Sequence, residues 1–328
     1  MNPHRGWIAC CMGAVATVAC ASALAATAPD KFPSKPIRVL VGFPAGGSTD
    51  VLTRQIGIRL TEALGQQIIV DNRPAAGGGL ASELVAKGNP DGYTLMMATV
   101  ASHGINPFLY RKIPYNVTKD FAPITLVATY PLVLAVHPSV PAKSVKDLIN
   151  VAKAKPGQLR FASSGNGSPG HLSGEIFKTL ANIEMTHVPY KGGAPANIAV
   201  LSGETQLTFA TMPAMIPHVR AGKVVGLAVT TGKRSPAAPD IPAVAETLPG
   251  FDVSSWAGLV APTGTPRAII QRLRDETFKV INSRELRERL ASEGAEPIGN
   301  TPEQFAAFIK AELDKWEKAV KQAGAQLD

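Results

Sequence analysis

The chain has 328 residues, with 33 Lys and Arg against 25 Asp and Glu and a formal charge of +8 at pH 7. The basic residues are scattered and are not interleaved with the three tryptophans, which argues against a nucleic-acid groove. The length suits two domains of ordinary size, each able to bury its own core.

The N-terminus reads as an export signal. Arg5 precedes an apolar, small-residue run over 7–21, and Ala23-Leu24-Ala25 follows as a cleavage site, so residues 1–25 are expected to be removed. Removal takes away one Arg and no acid, which lowers the charge to about +7. Cys10, Cys11 and Cys20 all fall in this segment, so disulfides, thiolate catalysis and Cys-ligated zinc fall away together. Val18-Ala19-Cys20 faintly resembles a lipoprotein box, but Thr17 stands where Leu is wanted, and no lipid anchor is expected. No later stretch reaches the roughly 18 consecutive apolar residues of a membrane span. The expectation is an exported, soluble, periplasmic protein.

In chain order, short apolar runs alternate with helix-period segments, the pattern of βαβ units on parallel sheets. A first group has strands at 37–43, 67–70 and 94–99 and helices at 49–64 and 80–87. A strand at 126–136 and a helix at 145–153 follow. A second group has strands at 159–163, 185–189, 206–210 and 224–230, with helices at 171–181 and 195–201. The chain ends with a strand at 254–260 and helices at 267–281, 285–292 and 302–322. The first sheet is short of strands, and 254–260 offers it one. The predicted organisation is therefore α/β with two lobes, 32–130 with 232–328 as a discontinuous lobe one and 131–231 as lobe two, joined by two crossing segments around a cleft.

Pro44, Ala45, Gly46, Gly47, Ser48, Thr49 and Asp50 follow the first strand and lead into a helix. Unpaired N–H groups and the positive end of the helix dipole make such a turn a place for a carboxylate or phosphate. The plainer alternative is a tight turn capped by Ser48 or Asp50. Two further strand-to-helix turns follow, from Ser163, Ser164, Gly165, Asn166, Gly167 and Ser168 to His171, and at Tyr190, Lys191, Gly192 and Gly193. Ligands of open α/β sheets bind at the C-terminal ends of strands, so these loops would face one another across the cleft.

Other chemistries fit less well. Residues 165–170 have G-x-G-x-x-G spacing with Glu184 downstream, but the strands are not in dinucleotide-fold order and an exported protein meets no standing nicotinamide pool. Ser168 and His171 invite a nucleophile–base reading, yet no G-x-S-x-G elbow surrounds Ser168. The histidines are scattered singly with no H-x-x-x-H pair, which argues against a metal; His103 stands apart because it follows a strand end of lobe one. No enzyme activity, cofactor or metal is expected.

The ordered motifs PSKPIRVLVGFPAGGSTD, DNRPAAGGG, NPDGYTL, INPFLY, SSGNGSPGHL and VPYKGGAPA resemble the extracytoplasmic receptors of tripartite tricarboxylate transporters, the Bug family, from about Phe32 to the C-terminus. The resemblance implies a type II periplasmic-binding-protein fold, capture of a small carboxylate or related solute, and delivery to a permease with two membrane subunits. It implies ligand contacts from Pro44 to Asp50, from Thr99, Ser102 and His103, from Ser163 to His171, and from Tyr190 to Gly193. The lobe-one turn would hold the carboxylate on backbone N–H groups and the Ser48 or Thr49 hydroxyl, and Ser164, Ser168 and Tyr190 would complete the shell. Many relatives carry an acid where this chain has Ala210, which favours a purely anionic or aromatic acid. A monomer is expected; an exported sensor module for a signalling partner is the alternative.

Overall fold

The computed structural model describes residues 32–324, so the expected leader at 1–25 lies outside the described residues. Strand β1, Ile37–Val41, is a β-branched run buried on both faces, as an inner strand of a parallel sheet must be. It pairs in parallel with β2, Ile68–Asn72, and β3, Thr94–Thr99. Helices α1, Ser48–Leu64, and α2, Gly79–Ala86, connect them. The next neighbour of β3 comes from far along the chain. It is β9, Ser254–Pro262, and it runs antiparallel.

β9 pairs in turn with β4, Phe121–Val136, a strand of 16 residues that serves two halves of the sheet. Its partners change within two residues. Phe121 to Pro131 lies against β9, and from Leu132 to Val136 the partner is β7, Leu207–Thr211. On its other edge β8, Val225–Val229, pairs from Val133 onward. Pro131 has no N–H to give to a ladder, so it sits where the ladder changes hands. Beyond β7 the sheet continues through β5, Arg160–Ser163, to β6, Thr186–Pro189, all three parallel. Around these strands lie α4, Val145–Ala154, α5, Pro169–Ala181, α6, Gly193–Leu201, and α7, Met212–Arg220.

The second passage between the halves is tied at Thr230, which is fully buried. Its N–H donates to the Leu132 carbonyl (3.0 Å), and its hydroxyl accepts from the Leu132 N–H (2.8 Å) and donates to the Val253 carbonyl (2.7 Å). Between these points residues 231–253 stay with β7 and β8. Ala243 bridges to Val229 and packs, with Ile241 and Ala238, on Val133, Ala135 and Met215.

Helix α8, Arg267–Ile281, α9, Arg284–Ser292, and the short β10, Glu296–Pro297, lead to α10, Pro302–Ala323. A capping box of Thr301 and Gln304 starts α10. Buried Glu312 then accepts 2.8 Å hydrogen bonds from the indole N–H groups of Trp256 on β9 and Trp316 on α10. That shared carboxylate fixes the C-terminal helix to the centre of the sheet.

Two stretches differ from the sequence expectation. The loop after β3 is helical, a wide π turn at Ala101–Ile105 followed by α3, Asn106–Leu109. Helix α7, between the expected strands at 206–210 and 224–230, was given no element from sequence; Pro213 stands in its first turn, where a missing N–H costs nothing. Thr230→Val keeps the volume but strips the Leu132 N–H and the Val253 carbonyl of a partner. We expect a loss of about 1–3 kcal/mol for each buried group left unpaired, measured as a fall in the urea midpoint. An unchanged midpoint would show that the Thr230 tie contributes nothing.

Candidate ligand-binding site

A cavity of about 400 Å³ opens between the ends of β1, β3 and β7, the middle of β4 at Tyr130 and Leu132, and the starts of α1, α6 and α7. Its wall begins with the turn after β1. Gly46 has φ +81°, the left-handed region, which turns the chain into α1 without a side-chain clash. Asp50 is buried and braces this turn from behind: it accepts from the Gly46 N–H, from Arg54 and from Asn72, each at 2.9 Å. Burial opposes its charge, but the bonds from Arg54, Gly46 and Asn72 outweigh that and hold the carboxyl below its usual range. Asn72 also donates to the Phe43 carbonyl (3.0 Å), so β2 holds the same loop.

With Asp50 committed to this bracing, α1 starts at Gly47 with no side-chain cap. The N–H groups of its first turn have no helical acceptor, and Gly47, Ser48 and Thr49 line the cavity. Across from them the Ser48 hydroxyl lies 2.6 Å from that of Thr211 at the end of β7. Pro44 rests against Gly192, where a Cβ would stand 3.0 Å from the proline ring and where φ is +115°. Ser48 with Thr211 and Pro44 with Gly192 thus bring the two halves of the sheet together beside the cavity.

At the floor, Tyr130 and Ser255 face each other in the β4–β9 register. Burial pushes the Tyr130 hydroxyl pKa up, an effect that the neighbouring Ser255 and Thr49 side chains partly offset. The β7 wall contributes Thr208, Phe209, Ala210 and Thr211, and α6 and α7 add Asn197, Ile198, Ala214 and His218. Among the described residues no Lys, Arg, Asp or Glu lines the cavity. Its polar character comes from hydroxyls, one amide, one imidazole and helix-start N–H groups.

Of the residues singled out from sequence, Pro44, Ala45, Gly46, Gly47, Ser48, Thr49, Thr99, Ser164, Gly192 and Gly193 come together on this wall. The others lie behind or beside it. Ser102 and His103 are fully buried; the Ser102 hydroxyl accepts from the Thr99 N–H (3.1 Å) and meets His103 Nδ1 at 3.0 Å, and the imidazole packs edge-on to Phe121. Ser163 bonds the Gly165 backbone and His187 Nε2, Ser168 caps α5 by accepting from the His171 N–H, and Gly167 lies against Leu109. Asn166 and Lys191 are exposed, and the Tyr190 hydroxyl turns to Glu204 (2.7 Å). These residues shape the loops rather than face the cavity.

Tyr130, Ser255, Thr208, Asn197 and His218 were missed. The signal for the first two was present, since polar residues at the point where strands cross between halves have a use at that point. His218 depended on recognising α7. Asn197 lies one turn beyond the glycines that drew attention to α6.

The loop after β5 rests on neutral imidazoles. His171 Nδ1 accepts from the Gly167 N–H (3.1 Å), and its ring stacks on His187 with centroids 4.1 Å apart. Burial lowers the pKa of His171, and it lowers those of His187 and His103 from 6.5 to about 3. Below pH 6.5 the unfolded chain takes up protons that the folded chain refuses, so this stability is complete above pH 6.5 and drains away toward pH 3. For His103 the slope is on the order of 1 kcal/mol per pH unit. Urea midpoints should fall between about pH 7 and about pH 5, and fall less in His187→Gln, which keeps a hydrogen-bonding group near Ser163. Equal midpoints at the two pH values would contradict these assignments.

The family model for the tripartite tricarboxylate transporter family receptor matches residues 52–325. The Bordetella pertussis protein BugT is 36% identical over 312 residues, covering 94% of this chain and 96% of BugT. A UPF0065 protein encoded between tcbD and tcbE in Pseudomonas sp. strain P51 is 37% identical over 293 residues, 89% of this chain and 87% of its own. Among solved structures, Rhodopseudomonas palustris Rpa4515 with adipate superposes with a TM-score of 0.87 at 39% identity, covering 89% of this chain and 98% of that one. MatC (Rpa3494) of the same organism, with bound malate, gives 0.83 at 32% identity, covering 88% and 100%. The fold is that of the two-lobed periplasmic solute-binding proteins, whose TctC and Bug members are receptors rather than enzymes. No helix among the described residues is long and apolar enough to cross a membrane. The chain belongs to the receptor family of the tripartite tricarboxylate transporters, the Bug proteins.

Proposed function

We propose that this receptor captures a small carboxylate in the periplasm and delivers it to the membrane subunits of a tripartite transporter. The observation that carries the proposal is the uncapped start of α1 on the wall of a cavity that, among the described residues, no Lys, Arg, Asp or Glu lines. A carboxylate there accepts from backbone N–H groups and from the Ser48 and Thr49 hydroxyls and gains the favourable end of the helix dipole. The adipate and malate held by the two related structures are both carboxylates, which supports the class without fixing the compound.

In the same proposal the lobes are 32–131 with 254–324, and 132–253. The return is drawn near Val253 rather than residue 232, because 237–245 packs on β7 and β8. The contacts of Pro44 with Gly192 and of Ser48 with Thr211 then belong to the closed cleft, and opening breaks both. Ser164 closes on the ligand from the second lobe, while Ser163, Ser168 and His171 set its position. The partner permease binds the closed form.

A thermal-shift comparison of acids with their methyl esters tests the carboxylate requirement: acids raise the melting temperature and esters do not. An ester as effective as its acid would remove the carboxylate from the account. Gly47→Val tests the turn itself. A Cβ at Gly47 meets only the Pro44 carbonyl, at 3.5 Å, and its φ of −76° suits any residue, so the fold persists while the anion is crowded. Calorimetry should show binding weakened by about 1–3 kcal/mol. Unchanged affinity would exclude this turn from the site.

A further inference from the structure

Helix α6 presents a second set of hydrogen-bonding groups to the cavity. It starts at Gly192 without a side-chain cap, so the N–H groups of Gly193 and Ala194 have no helical acceptor. Both residues line the cavity, and a Cβ at Gly193 would meet nothing within 4 Å. Asn197 stands four residues on, which places it on the same helix face. Helical side chains lean back toward the N-terminus, so its amide sits over the Gly193 turn.

Asn197 is 8% exposed, lines the cavity, and its buried Oδ1 has no hydrogen-bond partner. The cavity-lining residues around it on α6 are Pro195, Ala196, Ile198 and Leu201, whose side chains offer no donor. A buried carbonyl oxygen without a donor is costly, and the broad χ2 torsion of Asn lets the amide turn toward a group that supplies one. The turn therefore offers backbone donors beside an unmet acceptor. A carboxylate satisfies the donors alone. An ammonium satisfies the acceptor alone and meets the positive end of a helix. A hydroxyl both accepts and donates.

Resting on the carboxylate reading above, we propose that the α6 turn is a second polar subsite and that Asn197 makes the receptor selective for hydroxylated carboxylates. The ligand hydroxyl donates to Asn197 Oδ1 and accepts from the Gly193 or Ala194 N–H, while the carboxylate occupies the α1 turn. Asn197 is in this account the residue that sets specificity.

The test is calorimetry on full-length mature protein with matched pairs: butanoate and 3-hydroxybutanoate, hexanoate and 6-hydroxyhexanoate, succinate and malate, benzoate and 4-hydroxybenzoate. At least one hydroxylated acid should bind about tenfold or more tighter than its parent, the scale of one well-made hydrogen bond. In Asn197→Leu that ratio should collapse to within about threefold. The ligand-free melting temperature of Asn197→Leu should not fall, since a buried unpaired amide has been removed; Asn197→Ala serves if the Leu variant fails to fold. A wild-type protein with no preference for any hydroxylated member, or a preference that survives in the variants, would overturn the proposal while leaving carboxylate capture intact. Failure of every acid to bind would overturn the carboxylate reading beneath it.

Discussion

A helix that begins inside a protein must find acceptors for its first N–H groups, and α1 begins on a cavity wall with no side chain to cap it. Asp50 is the residue best placed to serve, and its oxygens are taken by Gly46, Arg54 and Asn72. The sequence around it is thus arranged to hold the turn open rather than to satisfy it. Gly46 supplies the left-handed conformation, β2 supplies Asn72, and the unmet donors of the first turn face the cavity. In the proposed reading a bound anion would complete the helix.

Bringing a second wall to that turn is the work of β4. One continuous strand hydrogen-bonds to β9 in its first part and to β7 and β8 in its last, so the two halves of the sheet are covalently and elastically linked through Pro131 and Leu132. Thr230 ties the other passage to the same point. Both passages between the halves therefore meet at one place, Leu132 with Thr230. The contacts at the cavity itself, Ser48 with Thr211 and Pro44 with Gly192, join uncharged groups.

Much of this was legible in the sequence. The β-branched run into Gly46 and Gly47 announced β1, a turn and α1, and the late strand at β9 joined the first half of the sheet as its missing member. What was not legible depended on direction rather than type. Ser102 and His103 follow a strand end as a ligand loop would, but the π turn rotates them into the core against Tyr115 and Phe121. Ser163, Ser168 and His171 are polar residues in a glycine-rich loop, yet they bond to that loop's own backbone and to His187. Tyr130 and Ser255 meet only once the β4–β9 register is known, a pairing between segments far apart in the chain. Asn197 looks like an ordinary helix residue until its lack of a partner is seen.

In the proposed function uncharged donors, not a cationic side chain, hold the ligand's carboxylate. Coulomb attraction to an exposed basic patch weakens as salt shortens the Debye length from about 30 Å at 0.01 M to about 8 Å at 0.15 M, whereas hydrogen bonds in a closed cavity are little affected. The most direct measurement is the calorimetric Kd of the tightest-binding acid across that range of ionic strength. A change of less than about threefold is predicted. A steep, continuous loss of affinity with salt would contradict the claim and place a basic side chain in the site.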